Sequence, residues 1–201
     1  HGQRPLEQAC SEAGVDLDAV QAELDALAVA PLTGPVADEV GALIGHIVSV
    51  HHTYLRRELP RLGELMVKVI AAHGTAHPEV HDMAATLEEL SADLLPHLLK
   101  EERVLFPLAI ELLGAVEPTG LHGGSVTNPI RVMNSEHDRV GELLVTLRRQ
   151  TGGYEPPEDA CPTWRALYAG CAEMEADVHQ HVHLENNLLF PKIIGLEAAL
   201  G

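Results

Sequence analysis

The sequence predicts an all-α protein, an up-down-up-down four-helix bundle that follows a small N-terminal helical hairpin. Apolar residues make up 46% of the 201 residues and aromatic residues only 3%, a composition typical of helical bundles. Four long segments have apolar residues at the spacing of one helix face. Modest loops separate these segments, and such loops favour antiparallel packing of successive helices.

The N-terminal hairpin is predicted within residues 1–30. Gly14 suits the end of a first helix and Asp16 can cap a second one, since glycine favours helix C-termini and aspartate favours N-caps. Residues 31–35 contain two prolines and a glycine, which is typical of a linker. The bundle domain is therefore expected over residues 36–200.

Stretches rich in glycine and proline bound the bundle helices. The helices are predicted over residues 36–73, 78–113, 130–151 and 163–199. Proline lacks a backbone donor and clashes with the preceding helical turn, so prolines within these patterns are expected to kink or end their helices. Those prolines are Pro60, Pro96, Pro107 and Pro191.

One pattern occurs twice, in the second and in the fourth helix. His97 is followed four residues later by Glu101, and His181 is followed four residues later by Glu185. Residues four apart share a helix face. The rest of each face is predicted to be apolar and buried: Leu90, Leu94, Val104 and Leu105, then Met174, Val178, Leu188 and Leu189. Burying histidine and glutamate without partners is costly, so the pattern indicates a metal site.

The first and third helices offer further histidines at inward positions. His137 lies within the apolar stripe of the third helix. His51 and His52 lie at the two edges of the inward face of the first helix, and periodicity does not choose between them. One histidine from each helix and the two glutamates give four imidazoles and two carboxylates.

This donor set favours iron or manganese among the common metals. Mixed imidazole and carboxylate ligands suit those ions, and no thiolate lies on the stripes. Ferritin-like sites use Glu-x-x-His motifs and are richer in carboxylate. A zinc protease would need His-Glu-x-x-His, which the sequence lacks.

Three acidic residues are candidates for supporting the metal ligands from behind. Asp93 and Asp177 lie one helical turn before His97 and His181, where each either accepts a hydrogen bond from that histidine or is solvated. Glu136 either lines the approach to the site or lies at the surface.

The net charge of −17 argues against nucleic acid and membrane surfaces as partners, because both attract basic proteins. The sequence has no apolar run long enough to span a bilayer. The three cysteines, Cys10, Cys161 and Cys171, lack metal-finger spacing. They are predicted to be reduced thiols in a cytoplasmic protein.

These motifs resemble the haemerythrin-like di-iron proteins that repair iron–sulfur clusters, the repair-of-iron-centres family. The resemblance covers nearly the whole chain. Its specific segments are Arg4–Cys10, His52-x6-Leu59-Pro60, His97–Pro107, Met133–Asp138, Ala160–Tyr168 and His181–Pro191. In this family a Cys-Cys pair usually stands in the small N-terminal domain. That domain is expected to be truncated here, because the chain begins at His1 and Cys10 does not match the pair.

The resemblance implies a complete site. It selects His52 in the first helix, makes Glu101 and Glu185 bridging ligands, and provides terminal ligands to two non-haem iron ions with an oxo or hydroxo bridge. The terminal ligands that it implies are His52, His97, His137 and His181. It also implies repair of clusters damaged by oxidative or nitrosative stress through iron donation, with damaged iron–sulfur proteins as partners and a monomer or homodimer as the assembly.

Three other functions stay open at this point. The first is binding or sensing of O2 or NO, as in haemerythrins, although those sites usually carry a fifth histidine that no inward stripe supplies. The second is enzymatic reduction of NO or peroxide at the same centre. The third is a metal-free interaction bundle.

Overall fold

The computed structural model describes residues 6–21, 36–114 and 125–200. The chain divides into two compact units, residues 1–35 and 36–201. The predicted start of the bundle domain at residue 36 coincides with the start of the second unit.

The N-terminal unit begins with a helix over Leu6–Ala13, and residues 17–21 are also helical. Gly14 follows the first helix with φ of 67°, a left-handed conformation that glycine adopts at low cost. The side chain of Asp16 accepts hydrogen bonds from the backbone N–H groups of Asp18 and Ala19, at 2.8 and 3.2 Å. Gly14 and Asp16 thus play their predicted roles. The predicted remainder of the second helix and the linker lie outside the described residues.

The second unit is a bundle of four long helices, as predicted. The first bundle helix covers Val36–His46, a π-helical segment Ile47–His52, and Thr53–His73; the second covers Glu79–Lys100, a π-helical segment Glu101–Leu105, and Phe106–Gly114; the third covers Thr127–Gln150; the fourth covers Pro162–His183, a π-helical segment Leu184–Leu189, and Phe190–Leu200. The first helix packs against the second and the fourth, and the second packs against the third. Among the described residues, no helix has the length and apolar character needed to cross a bilayer.

The π-helical segments change which side chains face the interior. A π turn contains more residues than an α turn, so the spacing of an ideal α-helix does not hold across it. The predicted inward positions of Val104 and Leu188 are wrong, because these side chains are 48% and 39% exposed. The predictions for Leu105 and Leu189, one residue further along, are confirmed, because both side chains are buried.

Of the two outcomes predicted for the prolines, a kink or an early end of the helix, the early end does not occur. Pro60 and Pro96 lie inside helical segments, and both are exposed, where water can hydrogen-bond the carbonyl groups that they leave free. Pro107 and Pro191 are each the second residue of the α-helical segment that follows a π-helical segment. The helix continues directly from each π-helical segment, so these prolines also lie inside a continuous helix.

The apolar core of the bundle consists of two clusters. One includes Leu55, Leu98 and Val178, and the other includes Ile47 and Leu189. Along each helix, the predicted ligands lie between a member of one cluster and a member of the other. The fold therefore places a layer of buried polar groups between two apolar layers.

The first and fourth helices approach closely at Gly170. A Cβ atom there would stand 2.6 Å from the Arg61 side chain and 2.7 Å from that of Leu62. Leu62 is fully buried and has little room to move. Gly170 thus sets the separation of these two helices.

Candidate metal centre

All four bundle helices contribute to the buried polar layer. The six predicted ligands are 6% exposed or less: His52, His97, Glu101, His137, His181 and Glu185. His52 closes one π-helical segment and Glu101 opens another, while Glu185 lies within the third. Such segments are frequent at functional sites because they re-aim side chains.

The six side chains form two sets of four ligand atoms. One set contains His52, Glu101, His181 and Glu185, and within each set the ligand atoms lie within 4.8 Å of one another. The second set contains His97, Glu101, His137 and Glu185. Both glutamates belong to both sets, so the arrangement can hold two cations side by side with two shared carboxylates.

The first set is built around the His52 Nε2 atom. It lies 3.3 Å from His181 Nε2 and 3.3 Å from Glu101 Oε2. His181 Nε2 in turn lies 3.2 Å from Glu185 Oε1.

The second set repeats this arrangement with the other oxygen of each carboxylate. His97 Nε2 lies 3.1 Å from His137 Nε2 and 3.3 Å from Glu101 Oε1. His137 Nε2 lies 3.1 Å from Glu185 Oε2. Each glutamate therefore offers one oxygen to each set, which is the geometry of a bridging carboxylate.

These separations fit metal coordination. Ligand atoms about 2.1 Å from an ion stand roughly 3.0 Å apart at right angles and roughly 3.4 Å apart at a tetrahedral angle. The carboxylate oxygens of Glu101 and Glu185 are buried and have no hydrogen-bond partner, which is costly unless a cation satisfies them. Two imidazoles and two carboxylates per ion suit iron.

His52 and His97 are each held from behind by a glutamate. His52 Nδ1 lies 2.7 Å from Glu102 Oε1, and the same oxygen lies 2.9 Å from Arg56. Although burial raises the pKa of Glu102, its contacts with Arg56 and His52 lower it overall. An ionised carboxylate behind an imidazole fixes the ring orientation and strengthens its binding to metal.

His97 has the same kind of support from the third helix. His97 Nδ1 lies 2.9 Å from Glu136 Oε2, and the other Glu136 oxygen contacts Lys100. Although burial raises the pKa of Glu136, its contacts with Lys100 and His97 lower it overall. Of the two roles considered for Glu136, the structure places it at the site.

His137 is supported by an amide. Its Nδ1 atom lies 3.0 Å from Asn186 Oδ1. Sequence reasoning missed both Asn186 and Glu102. A signal for them existed, because each directly follows a shared glutamate, Glu185 or Glu101, in the repeated pattern.

Asp93 and Asp177 do not contact the histidines that follow them. The Asp93 side chain is 41% exposed and lies 3.7 Å from Arg139. Of the two roles considered for Asp93, the solvated one therefore applies. Asp177 Oδ1 lies 2.9 Å from Nδ1 of His51. The Nδ1 atom of His181 is buried without a hydrogen-bond partner.

His51 is a fifth buried histidine, which sequence analysis left as an alternative to His52. It is 2% exposed, but it belongs to neither ligand set among the described residues. Its ring stacks on that of His181, with centroids 5.7 Å apart and an interplanar angle of 7°.

In the absence of metal, the imidazoles and the carboxylates of the centre stabilise each other's charged forms. Burial lowers the pKa of His97, but the carboxylates of Glu101 and Glu136 raise it overall to about 9. Burial raises the pKa of Glu185, but the charge of His181 lowers it overall to well below its usual range. A cation therefore competes with protons for these ligands.

The sequence matches the family described as hemerythrin HHE cation binding domain over residues 43–193. It is 36% identical over 195 residues to the iron-sulfur cluster repair protein YtfE of Yersinia pseudotuberculosis serotype IB (strain PB1/+), covering 96% of this chain and 84% of the relative. The same identity and coverage hold for the iron-sulfur cluster repair protein YtfE of Yersinia pestis (strain Pestoides F). All six converging side chains lie inside the matched region, and the resemblance seen in the motifs is confirmed.

Proposed function

This chain belongs to the hemerythrin HHE cation-binding family and resembles its iron–sulfur cluster repair members over almost its whole length, and from this we propose that it binds two iron ions and helps repair damaged iron–sulfur clusters. The observation that carries the proposal is the pair of buried ligand sets that share Glu101 and Glu185. The damage is oxidative or nitrosative, and the clients are iron–sulfur proteins that have lost iron.

The shared glutamates couple the two ions. Because Glu101 and Glu185 each contribute one oxygen to each set, loss of either carboxylate removes a ligand from both ions. The four histidines are terminal ligands: His52 and His181 would hold one ion, and His97 and His137 the other. The apolar clusters on either side limit the access of water. When bound, iron supplies changes of oxidation state and open positions for O2 or NO.

This ligand set supports iron donation. Each shared carboxylate could bind one ion or bridge two without disturbing the protein fold, so one ion could leave while the second remained held. The iron delivered to a client is then cargo that the protein must reload. An oxo or hydroxo bridge between the ions is part of this proposal.

The test begins with metal content. After anaerobic loading with ferrous salt, the wild type should retain two iron ions per chain, and Glu101→Leu and Glu185→Leu should each retain fewer than one. Glu175→Gln is the matched control, because Glu175 is also buried in the fourth helix but contacts Arg148 and not the ligand sets. The control should retain two ions.

Repair is measured with a separate iron–sulfur enzyme inactivated by NO. The loaded wild type should restore its activity, and the glutamate variants should not. A protein that retains two ions but restores nothing would overturn repair. In that case a reversible O2 adduct would favour the haemerythrin-like alternative, and turnover of NO or peroxide would favour the reductase. Failure to retain any iron would leave the metal-free bundle.

A further inference from the structure

The four terminal histidines are not supported equally. The Nδ1 atoms of His52, His97 and His137 each have a side-chain partner within 3.0 Å. That of His181 has none. Since partners behind a metal-binding histidine strengthen its hold on the metal, the ion on His52 and His181 is held less firmly than its neighbour.

Unpartnered polar atoms gather beside His181. The stacked ring of His51 has its Nδ1 atom on Asp177, while its Nε2 atom is buried without a partner. The second carboxylate oxygen of Asp177 is likewise buried without a partner. In the neutral tautomer that donates its Nδ1 hydrogen to Asp177, Nε2 of His51 has a free lone pair. An imidazole nitrogen and a carboxylate oxygen are both ligands for ferrous iron.

This group lies close to the surface. The Asp177 side chain is 16% exposed. The exposed His46 lies next to His51, with ring centroids 5.5 Å apart. The side chains of His46, His51 and Asp177 therefore lead from the surface to His181, and each of them can bind a divalent cation.

We propose that His51 and Asp177 form a transient binding station for a divalent cation, through which the ion on His52 and His181 is loaded and released. This inference rests on the proposed function, because it assigns a route to the iron that is donated. The ion on His97 and His137 exchanges more slowly, since both of its histidines are supported from behind.

The experiment mixes protein loaded with two ferrous ions with an excess of a chromophoric ferrous chelator, anaerobically, in a stopped-flow instrument. The wild type should release iron in two phases of one ion each. His51→Phe retains the stacked ring without its nitrogens, and Asp177→Asn retains the shape without the charge. Each should slow the fast phase by about tenfold, with the slow phase and the final iron content unchanged.

The direction of the effect separates a route from a structural support. If His51 and Asp177 only held His181 in place, their replacement would speed the fast phase. Asn186→Leu is the matched control, because it removes the support of His137 and should speed only the slow phase. Circular dichroism checks that each variant is folded, and the two station variants test the same step independently.

Several outcomes would overturn the inference. These are a single release phase in the wild type, an unchanged or faster fast phase in both station variants, or equal slowing of both phases. None of these affects the proposed function, which stands or falls on iron content and on repair of the inactivated enzyme. A wild type that retains no iron would overturn both.

Discussion

Replacing Glu136 with glutamine tests whether the support behind His97 strengthens metal binding. The substitution keeps the size of the side chain and leaves an oxygen that can accept from His97 Nδ1, but it removes the charge. It also replaces the carboxylate that contacts Lys100 with an amide. The matched control is Asp93→Asn, because Asp93 lies on the second helix close to His97 in sequence but contacts Arg139 instead.

The expected loss can be worked out from the contacts. A hydrogen bond to a charged group contributes about 1.5–3 kcal/mol. The Glu136 side chain is 27% exposed, so solvent screens part of that energy, and the amide oxygen retains another part. A loss of about 1.4 kcal/mol, or roughly tenfold in ferrous affinity, is expected for Glu136→Gln. Asp93→Asn should change the affinity by less than about twofold, because an exposed ion pair contributes little.

Competition with a ferrous chelator between pH 6 and 8 measures these affinities. The pKa of His97 is raised to about 9 in the metal-free protein, so a proton occupies this ligand below that pH and must leave when metal binds. Wild-type affinity should therefore rise with pH over the whole range. Glu136 is one cause of the raised pKa, so its loss weakens proton competition as well as metal binding, and the deficit of the variant should grow with pH. Equal affinities for the two variants would refute the reasoning.

Three further predictions concern packing, a thiol and the bound metal. Gly170→Ala should lower the free energy of unfolding, measured in urea, by about 1–3 kcal/mol through overpacking. Gly141→Ala, whose added Cβ meets nothing within 4 Å, should raise this free energy by up to about 1 kcal/mol. Equal effects of the two substitutions would contradict the close approach of the helices at Gly170. The pKa of Cys161 is lowered to about 7 by the backbone N–H of Trp164 and a neighbouring imidazole, so its alkylation by iodoacetamide should rise from pH 6 to 8 and then level off. Burial raises the pKa of Cys171 to about 12, so this thiol should stay unreactive. Mass spectrometry of the labelled sites checks both expectations. Free ferrous ion at a hundredfold excess over the Kd of each site should raise the melting temperature by about 10–20 °C relative to protein with chelator, since each of the two bound ions contributes about 2.7 kcal/mol. An unchanged temperature would argue against binding by the folded state.

The fold and the two His-x-x-x-Glu faces could be predicted because both depend on local patterns. Helical periodicity and the Gly/Pro-rich boundaries located the bundle helices to within a few residues. The spacing from His97 to Glu101, repeated from His181 to Glu185, places each pair on one face of one helix whatever the neighbours do. The choice between His51 and His52 could not be made in this way. Both lie in a π-helical segment, where the α-helical spacing used to assign inward faces does not apply.

Glu136 is among the predicted supporting residues, but which ligand each supporting residue contacts could not be predicted from the same rules, because these residues come from other helices. A histidine that points across the bundle turns its Nδ1 atom toward a neighbouring helix and away from the preceding turn of its own. His97 therefore meets Glu136 and not Asp93, and His52 meets Glu102, 50 residues away in the sequence.

The same geometry explains why His181 is the exception. The first helix brings another imidazole, His51, beside the ring of His181, and Nδ1 of His51 is already engaged by Asp177. The ring of His181 is then held less firmly than a ring backed by a carboxylate of its own. In a protein that only stored iron, such an arrangement would weaken one of two sites without any gain. In a protein that must give iron away, a weaker site beside a polar path to solvent determines which ion leaves, and the better-supported ion keeps the shared glutamates in position for reloading.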